Sequence, residues 1–342
     1  MSDGRIRNRL AHLTEHLWYG REHPHPLLLP LEAAFRHAVL ARQSAYRCGR
    51  KPSERLPVPV IVVGNLTVGG TGKTPLTIWL ARFLQRQGWR PGIVSRGYGG
   101  QRQPRPLAVT GETDPRLAGD EPVLIARRSG CPVSVFPRRA EAGRALLDAT
   151  DCTLIIADDG LQHYALQRDL EIAVVDGLRR FGNGHLLPAG PLREPVERLD
   201  SVDLVIHTGT APAGGHRMTL EGTEAINLAH PHQRKPLSAF AGQPVLALAG
   251  IGHPERFFRH LAAQGLICET RAFPDHHPYR AEDLSGSADR PLIMTEKDAV
   301  KCRAFGREHH WYVPVSAHVS EGFESALLDR LPSAIGDGGL QR

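Results

Sequence analysis

Short apolar runs of strand length alternate with amphipathic segments along most of the chain. Val58–Val63 is a continuous run rich in β-branched residues, typical of a strand buried on both faces. Pro75–Gln87 has helical spacing with a proline in its first turn. Similar patterns predict strands at Ile93–Ser95, Val133–Phe136, Thr153–Ala157 and Ile172–Val175, and a helix at Arg138–Ala149. This alternation predicts an α/β fold with a doubly wound, mostly parallel sheet.

A second series of strands and helices begins after a Gly- and Pro-rich passage that follows Gly209. It opens with a strand at Val245–Ala249 and a helix at Pro254–Gln264. Further strands are predicted near Cys268–Ala272, Leu292–Met294 and Trp311–Val315. We therefore expect a domain boundary near residue 240, with a core at residues 52–240 and a smaller α/β domain at residues 241–342.

The first 51 residues differ from the rest in charge. They contain nine Lys and Arg against four Asp and Glu, whereas the remaining 291 residues contain 33 against 32. Within them, Leu31–Arg47 is predicted as an amphipathic helix. The apolar positions of this helix are Leu31, Ala34, Phe35, Ala38 and Val39, and its arginines include Arg36, Arg42 and Arg47. Before the helix, the first 51 residues also contain Arg5, Arg7 and Arg9. Such a pattern is typical of an interfacial membrane helix, but also of a surface helix packed on a soluble core.

Composition excludes several classes of protein. With 342 residues, 41% hydrophobic and 23% charged, the chain is typical of a globular protein of about two domains. No apolar run approaches the ~20 residues that span a bilayer, and no signal-peptide pattern is present. The five cysteines contain no CxxC pair, so we expect a reducing cytoplasm. Nucleic-acid binding is not expected, because the body of the chain is nearly neutral and lacks basic runs interleaved with aromatics.

The strongest chemical signal is a glycine-rich loop between the first predicted strand and helix. Backbone N–H groups of such a loop, together with a helix N-terminus, bind phosphates. The predicted phosphate-binding residues are Gly69, Gly70, Thr71, Gly72, Lys73 and Thr74. Lys73 can reach the β- and γ-phosphates, and the hydroxyl of Thr74 can ligate Mg²⁺. Thr67 replaces the first glycine of the strict pattern, so this is a variant P-loop, and it predicts an ATP-type nucleotide as ligand.

Two carboxylates follow the strand predicted at Thr153–Ala157. Asp158 and Asp159 stand where a Walker-B carboxylate would hold Mg²⁺ beside the P-loop. Adjacent residues of an extended strand point to opposite sides, so one carboxylate is expected to ligate the metal directly and the other indirectly. Which of the two does so is left open by the sequence.

The acceptor side of the reaction is marked less clearly. Asp120, in Gly119–Pro122, stands where a helix is predicted to begin and could be only its N-cap. The segment Phe273–Tyr279 follows a strand and could be an ordinary turn. His277, His309 and His310 suggest zinc, but no ligand spacing supports it.

Seven ordered motifs resemble one family. They are Gly64–Pro75, Ser95–Gly100, Gly119–Glu121, Asp158–His163, Leu187–Glu194, Phe273–His276 and Thr295–Lys301. Together they resemble tetraacyldisaccharide 4′-kinases, the lipid A kinases of Gram-negative bacteria, over residues 10 to 330. The resemblance implies a P-loop NTPase-type core and transfer of phosphate from ATP, with Mg²⁺, to the 4′-hydroxyl of a tetraacylated glucosamine disaccharide 1-phosphate.

The resemblance also implies roles and a location. It gives Asp120 and His276 a joint catalytic role, and makes Asn65, Arg96 and Arg193 substrate-binding residues. It implies a peripheral enzyme on the cytoplasmic face of the inner membrane, bound through residues 1–51, with the smaller domain closing over the site. His277 adjoins His276, and Glu121 adjoins Asp120, so each is an alternative for its neighbour.

Two other functions compete with this interpretation. A P-loop ATPase or GTPase switch would usually have a lysine in place of Val68, and Thr295–Asp298 misses the guanine-binding signature. A soluble small-molecule kinase would use residues 1–51 only as structure.

Overall fold

The computed structural model describes residues 14–20, 23–286 and 290–331. In these residues the strands are β1 (Val60–Gly64), β2 (Pro91–Ser95), β3 (Leu107–Val109), β4 (Val133–Val135), β5 (Leu154–Asp158), β6 (Leu170–Asp176), β7 (Leu204–Thr208), β8 (His216–Glu221), β9 (Glu224–Asn227), β10 (Arg234–Pro236), β11 (Pro244–Ala249), β12 (Ile267–Ala272), β13 (Leu292–Thr295), β14 (His310–Val313) and β15 (Ser316–Val319). Residues 14–19 are helical, and the α-helices that follow them are α1 (Leu29–Arg47), α2 (Lys73–Arg86), α3 (Pro115–Ala118), α4 (Asp120–Ser129), α5 (Arg139–Ala149), α6 (Pro254–Ala263), α7 (Glu296–Cys302) and α8 (Glu321–Leu328).

The larger sheet has nine strands in the order β15-β8-β7-β6-β1-β5-β2-β4-β3. Its neighbouring strands are parallel except at the two edges, where β3 and β15 run antiparallel to their partners. β1 alternates its side chains between two cores: Ile61 and Val63 face one, and Val60 and Val62 face the other. Helices cover both faces, so the predicted doubly wound sheet is confirmed. Each fully buried Val or Ile contributes about 1.5–3 kcal/mol relative to exposure.

The smaller sheet has six strands in the order β10-β9-β14-β13-β11-β12. The four strands β14, β13, β11 and β12 are parallel, and β9 and β10 extend the sheet in antiparallel pairings. A core lies on each face, one built around Phe257 and Trp311 and the other around Leu292 and Met294. This sheet is the predicted smaller α/β unit.

The chain divides between the two sheets differently from a single boundary at residue 240. β9 and β10 precede that position yet pair in the smaller sheet, because β9 joins β14 through Trp311 and Tyr312. β15 and α8 follow it yet belong to the larger sheet, where β15 pairs with β8 and Phe323 is buried in the core. These pairings join segments nearly a hundred residues apart, so local patterns do not reveal them. The chain therefore crosses between the sheets twice.

Strand register brings the sequence motifs together. Val63 of β1 lies beside Asp158 of β5, so the P-loop and the two carboxylates leave the larger sheet at the same edge. In the smaller sheet, β12 and β13 lead at their carboxyl ends into the Phe273–Tyr279 segment and α7. Ligand sites of open α/β sheets form at the carboxyl ends of strands, so this is where the site is expected.

Helix α1 lies on the larger sheet, with Phe35 packed against the core and the carboxylate of Glu32 buried. Three leucines remain exposed: Leu27 just before the helix, Leu31 near its start and Leu40 farther along it. One face of the helix thus packs on the larger sheet and another is open, so the membrane interpretation of this segment stays a prediction. Arg5, Arg7 and Arg9 lie outside the described residues. Among the described helices, none is long and apolar enough to cross a membrane.

Candidate active site

The P-loop connects β1 to α2, and its glycines have the geometry that phosphate binding requires. Gly72 caps α2 with φ of 98°, a left-handed conformation in which other residues are strained. A Cβ at Gly70 would meet nothing within 4 Å, so the backbone there is open to a ligand. The carbonyl oxygen of Thr71 accepts a hydrogen bond from Thr208 Oγ1 at 2.7 Å, which holds the loop to β7.

The side chain of Lys73 is held over the loop by two oxygen atoms. Its Nζ donates to Asn65 Oδ1 at 3.0 Å and lies 3.4 Å from Asp159 Oδ1. Asn65 is fully buried, and its side chain bonds to Lys73 and Thr67. This ammonium group stands at the N-terminal turn of α2, where the helix dipole and the backbone amides also favour an anion.

Asp158 ends β5 as a buried carboxylate with little compensation. Its Oδ1 accepts a hydrogen bond from Thr77 Oγ1 of α2 at 3.1 Å. Burial, followed by repulsion from Glu121 and Asp159, raises the pKa of Asp158 to about 7. A divalent cation beside it would offset both causes, so the Asp158 carboxylate fits a Mg²⁺ ligand.

Asp159 points toward positive charge instead. Arg193 Nη1 donates to both of its carboxylate oxygens, at 3.0 and 3.2 Å, and Arg139 Nη2 donates to its main-chain oxygen at 2.9 Å. Burial alone would raise the pKa of Asp159, but Lys73 and the two arginines outweigh it and hold the pKa at about 2. The two adjacent carboxylates therefore have different surroundings. Asp159 lies one residue beyond β5 with φ of 47°, so a left-handed turn, and not the alternation of an extended strand, separates it from Asp158.

Asp120 and His276 meet where the two sheets face each other. Asp120 is the first residue of α4, with Gly119 as the N-cap, so it does not cap the helix itself. His276 Nδ1 lies 3.0 Å from Asp120 Oδ1 and 3.1 Å from Oδ2. The Tyr98 ring stands edge-on to the imidazole, with ring centroids 5.0 Å apart. The Asp120 side chain is 2% exposed and the His276 side chain 19%, so the pair is nearly closed off from bulk water.

The charges around this pair keep Asp120 ionised. Burial by itself would raise the pKa of Asp120, but the hydrogen bond with His276 and the ammonium groups of Lys297 and Lys301 lower it well below the usual value. Lys301 Nζ lies 3.3 Å from Asp120 Oδ2. Conversely, burial would lower the pKa of His276, but the bond with Asp120 raises it above 6.5. Each member of the pair thus favours the charged form of the other.

The two alternatives left open by the sequence occupy different positions. His277 Nε2 lies 3.1 Å from Asp283 Oδ2, and its ring packs on Phe273. Glu121 accepts a hydrogen bond from Lys297 Nζ at 2.9 Å, and its charge acts on Asp158. The structure thus brings His276, and not His277, to Asp120.

No group of three or more His, Cys, Asp or Glu side chains in the described ranges is arranged to hold a metal ion. Mg²⁺ is typically bound by one or two carboxylates together with phosphate oxygens and waters, so this finding is compatible with a site at Asp158.

The remaining predicted site residues differ in their surroundings. Arg193 contacts Asp159. Arg96 follows β2 and is exposed. Lys297 and Lys301 belong to the last of the seven motifs, Thr295–Lys301, without a role of their own, yet Lys297 contacts Glu121 and Lys301 contacts Asp120. Their spacing of four residues puts them on one face of a helix, which is the signal that could have identified them.

A Mg²⁺-compatible P-loop, a lysine over it and a carboxylate–histidine pair opposite define a phosphotransferase of the P-loop class. Comparison with known proteins identifies the family of phosphotransferase. The family model described as tetraacyldisaccharide-1-P 4′-kinase matches residues 24–332. Tetraacyldisaccharide 4′-kinase of Nitrosococcus oceani is 50% identical over 317 residues, which cover 93% of this chain and 94% of that protein. The kinase of Pseudomonas aeruginosa is 50% identical over 317 residues, 92% of this chain and 95% of that protein.

A solved structure agrees with these relatives. The crystal structure of LpxK from Aquifex aeolicus in complex with ATP superposes with a TM-score of 0.75 at 29% identity, covering 89% of this chain and 98% of that one. The chain belongs to the tetraacyldisaccharide 4′-kinase family, as its motifs indicated. Family membership decides against a P-loop switch and against a kinase of small-molecule acceptors.

Proposed function

We propose that this chain transfers the γ-phosphoryl group of ATP to the 4′-hydroxyl of a tetraacylated glucosamine disaccharide 1-phosphate, the step of lipid A synthesis that yields lipid IVA. Family membership supports this reaction. The contact between Asp120 and His276 supports a mechanism in which Asp120 is the base. Glu121, next to Asp120, lies close enough to Asp158 to raise its pKa. The proposed base therefore adjoins the proposed phosphate site.

The donor half of the reaction is assigned to the P-loop. Backbone amides of Gly69–Thr74 bind the β- and γ-phosphates, and Lys73 neutralises charge on the oxygens of the transferred group. Thr74 and Asp158 would hold Mg²⁺, which supplies charge neutralisation between the phosphates when bound. Asp159, bound to Arg193 and Lys73, keeps the lysine in place.

The acceptor half is assigned to Asp120. The 4′-oxygen attacks the γ-phosphorus, the bond from that phosphorus to the bridging oxygen breaks, and ADP leaves with the electron pair. The hydroxyl proton passes to Asp120. In a loose transition state this proton leaves late, so a carboxylate of low pKa is sufficient as the acceptor. His276 orients Asp120 and stabilises its charge until then.

Membrane attachment is assigned to α1 and the residues before it. Exposed Leu27, Leu29, Leu31 and Leu40 lie on or next to a helix that also carries Arg36 and Arg42. Apolar side chains next to basic ones favour an anionic membrane surface. The acylated acceptor is held in a bilayer, so we place the enzyme at the cytoplasmic face of the inner membrane as a peripheral protein.

The proposed function is tested by incubating the protein with γ-labelled ATP and the 1-phosphorylated acyl-disaccharide and separating the lipids by chromatography. Label should appear in the lipid, and Lys73→Ala should abolish this transfer. Release of label only as inorganic phosphate would contradict the proposal, since it would indicate an ATPase.

A further inference from the structure

Glu194 is a buried carboxylate that the reaction described above does not use. It is 1% exposed, and neutral donors bind both of its oxygens. Gln43 Nε2 donates to Oε1 at 3.0 Å, and Tyr164 Oη donates to the same atom. Gln162 Nε2 donates to Oε2 at 3.1 Å. The nearest cation, Arg198 Nε, is 3.9 Å away. A buried charge held in this way depends on each of its donors.

One side of this cluster is helix α1. Gln43 lies in α1 and also donates to Tyr164 Oη at 3.0 Å. Tyr46, three residues on, packs its ring 5.9 Å from the Tyr164 ring. The contact with Glu194 is therefore made by the helix to which membrane attachment is assigned.

The other side of the cluster is the P-loop. Gln162 Nε2 also donates to the main-chain oxygen of Asn65 at 3.1 Å. The side-chain Oδ1 of Asn65 in turn accepts a hydrogen bond from Lys73 Nζ. Gln162 Oε1 accepts from Arg193 Nη1 at 3.5 Å, and the same nitrogen binds Asp159. The side-chain amide of Gln162 thus contacts Glu194 and also Asn65 and Arg193. Asn65 binds Lys73, and Arg193 binds Asp159.

We propose that Glu194 is a positioning residue that couples the seating of α1 on the larger sheet to the placement of Lys73 and Asp159. This inference rests on the proposed kinase function. When Gln43 withdraws, Glu194 loses one of its donors and competes for Gln162, which then holds Asn65 less firmly. Seating of the membrane helix favours the arrangement that binds nucleotide, so membrane attachment and ATP binding are linked.

Contiguous contacts alone do not establish coupling, so the test measures it directly. The test variants are Gln43→Ala, at a half-buried position, and Glu194→Gln. The control is Glu197→Gln, which changes an exposed carboxylate three residues after Glu194. Affinity for an ATP analogue with a ribose-linked fluorophore is measured without lipid. Hydrogen exchange of residues 65–74 is measured in the free protein.

We expect Gln43→Ala to weaken analogue binding by about two- to thirtyfold, the range over which single mutations alter coupling between sites, and to speed exchange in residues 65–74. Glu197→Gln should change neither quantity. If Glu194→Gln fails to fold, Gln43→Ala still decides the matter. Unchanged affinity and exchange in Gln43→Ala at a temperature where it is fully folded would overturn the proposal, since a merely structural role would lower only the melting temperature.

A double-mutant cycle supplies the second measure. Gln43 and Gln162 bind different oxygens of Glu194, so their alanine variants should combine non-additively in analogue affinity if the carboxylate relays between them. Additive losses would overturn the relay. Neither measurement needs the acceptor lipid, so absence of lipid phosphorylation by the wild-type protein would count against the proposed function and not against this coupling.

Discussion

His276 Nδ1 lies 3.0 Å from Asp120 Oδ1, although 156 positions separate the two residues. Asp120 begins a helix packed on the larger sheet, and His276 follows a strand of the smaller one. The contact therefore joins the parts of the chain that are built on the two sheets, and it leaves the side chain of Asp120 2% exposed and that of His276 19% exposed. We expect such a site to exclude water and so to limit hydrolysis of ATP in the absence of the acceptor.

Asp120→Asn should remove the proton acceptor while keeping the shape of the side chain. General-base groups contribute about 10²- to 10⁴-fold, so kcat for lipid phosphorylation should fall by that range with a far smaller change in KM for ATP. Steady-state transfer of label from γ-labelled ATP measures both constants. Asp151→Asn, at an exposed side chain, is the matched control. Near-normal turnover in Asp120→Asn would remove Asp120 as the base.

His276→Asn should impair turnover much more than His277→Asn. Asparagine tolerates a left-handed backbone better than most residues, and His276 has φ of 58°, so the substitution removes the imidazole with little added strain. His277 contacts Asp283 and not Asp120, so its loss should affect mainly the local packing around Phe273. The ratio of the two kcat values is the measurement. The opposite ranking would exchange their proposed roles.

Asp158→Asn should stabilise the metal-free protein at alkaline pH. The pKa of Asp158 is raised from 3.8 to about 7 in the folded state, so its contribution to stability is present below 3.8 and lost as the pH rises through about 7. Above that pH the ionised carboxylate costs about 4 kcal/mol, which the variant avoids. Denaturant unfolding at acidic and alkaline pH measures the difference.

The same experiment tests the metal site and carries its own control. Added Mg²⁺ should raise the melting temperature of the wild-type protein and leave that of Asp158→Asn nearly unchanged. Asp159→Asn should behave in the opposite way to Asp158→Asn and destabilise the protein near neutral pH, because Lys73, Arg193 and Arg139 hold the pKa of Asp159 at about 2. Equal effects of the two substitutions would contradict the divergent environments of these carboxylates.

Replacing Leu27, Leu31 and Leu40 together by glutamine should weaken binding to anionic vesicles. These side chains are 79%, 57% and 47% exposed, so the substitutions should leave the folded core intact. Loss of three interfacial leucines should lower the partition coefficient at least about tenfold. Sedimentation with vesicles of phosphatidylglycerol and phosphatidylethanolamine measures it.

The matched control for that measurement is the double substitution Leu178→Gln and Ile267→Gln. Both residues are exposed apolar side chains, 78% and 60%, outside α1. This variant should partition like the wild-type protein. If both variants lose binding equally, the attachment is not specific to α1.

Much of the donor half of the site was predictable because it is local. The run ending at Val63, the glycines before Lys73 and the carboxylates after Ala157 each lie within one strand–loop unit. Backbone hydrogen bonding and burial constrain such a unit over a few residues. The alternation of side chains along a strand predicted that Asp158 and Asp159 diverge, but the structure separates them by a left-handed backbone at Asp159, just after β5 ends.

The acceptor half was less predictable because neighbouring residues compete for each role. His276 and His277 have the same chemistry, and only the left-handed backbone at His276 and the position of Asp283 direct one imidazole toward Asp120 and the other away. Lys301 reaches Asp120 because α7 packs against α4, a contact between segments nearly two hundred residues apart.

By itself, the order of apolar runs, glycines and charges determined the α/β class, the phosphate-binding loop and the family, since each depends on residues close together in the chain. Tertiary structure decided which strands joined which sheet, which histidine met Asp120 and how Glu194 came to lie between α1 and the P-loop. The physical reason is that pairing between distant segments is selected by the total burial and hydrogen bonding of the folded chain, a sum that no local window contains.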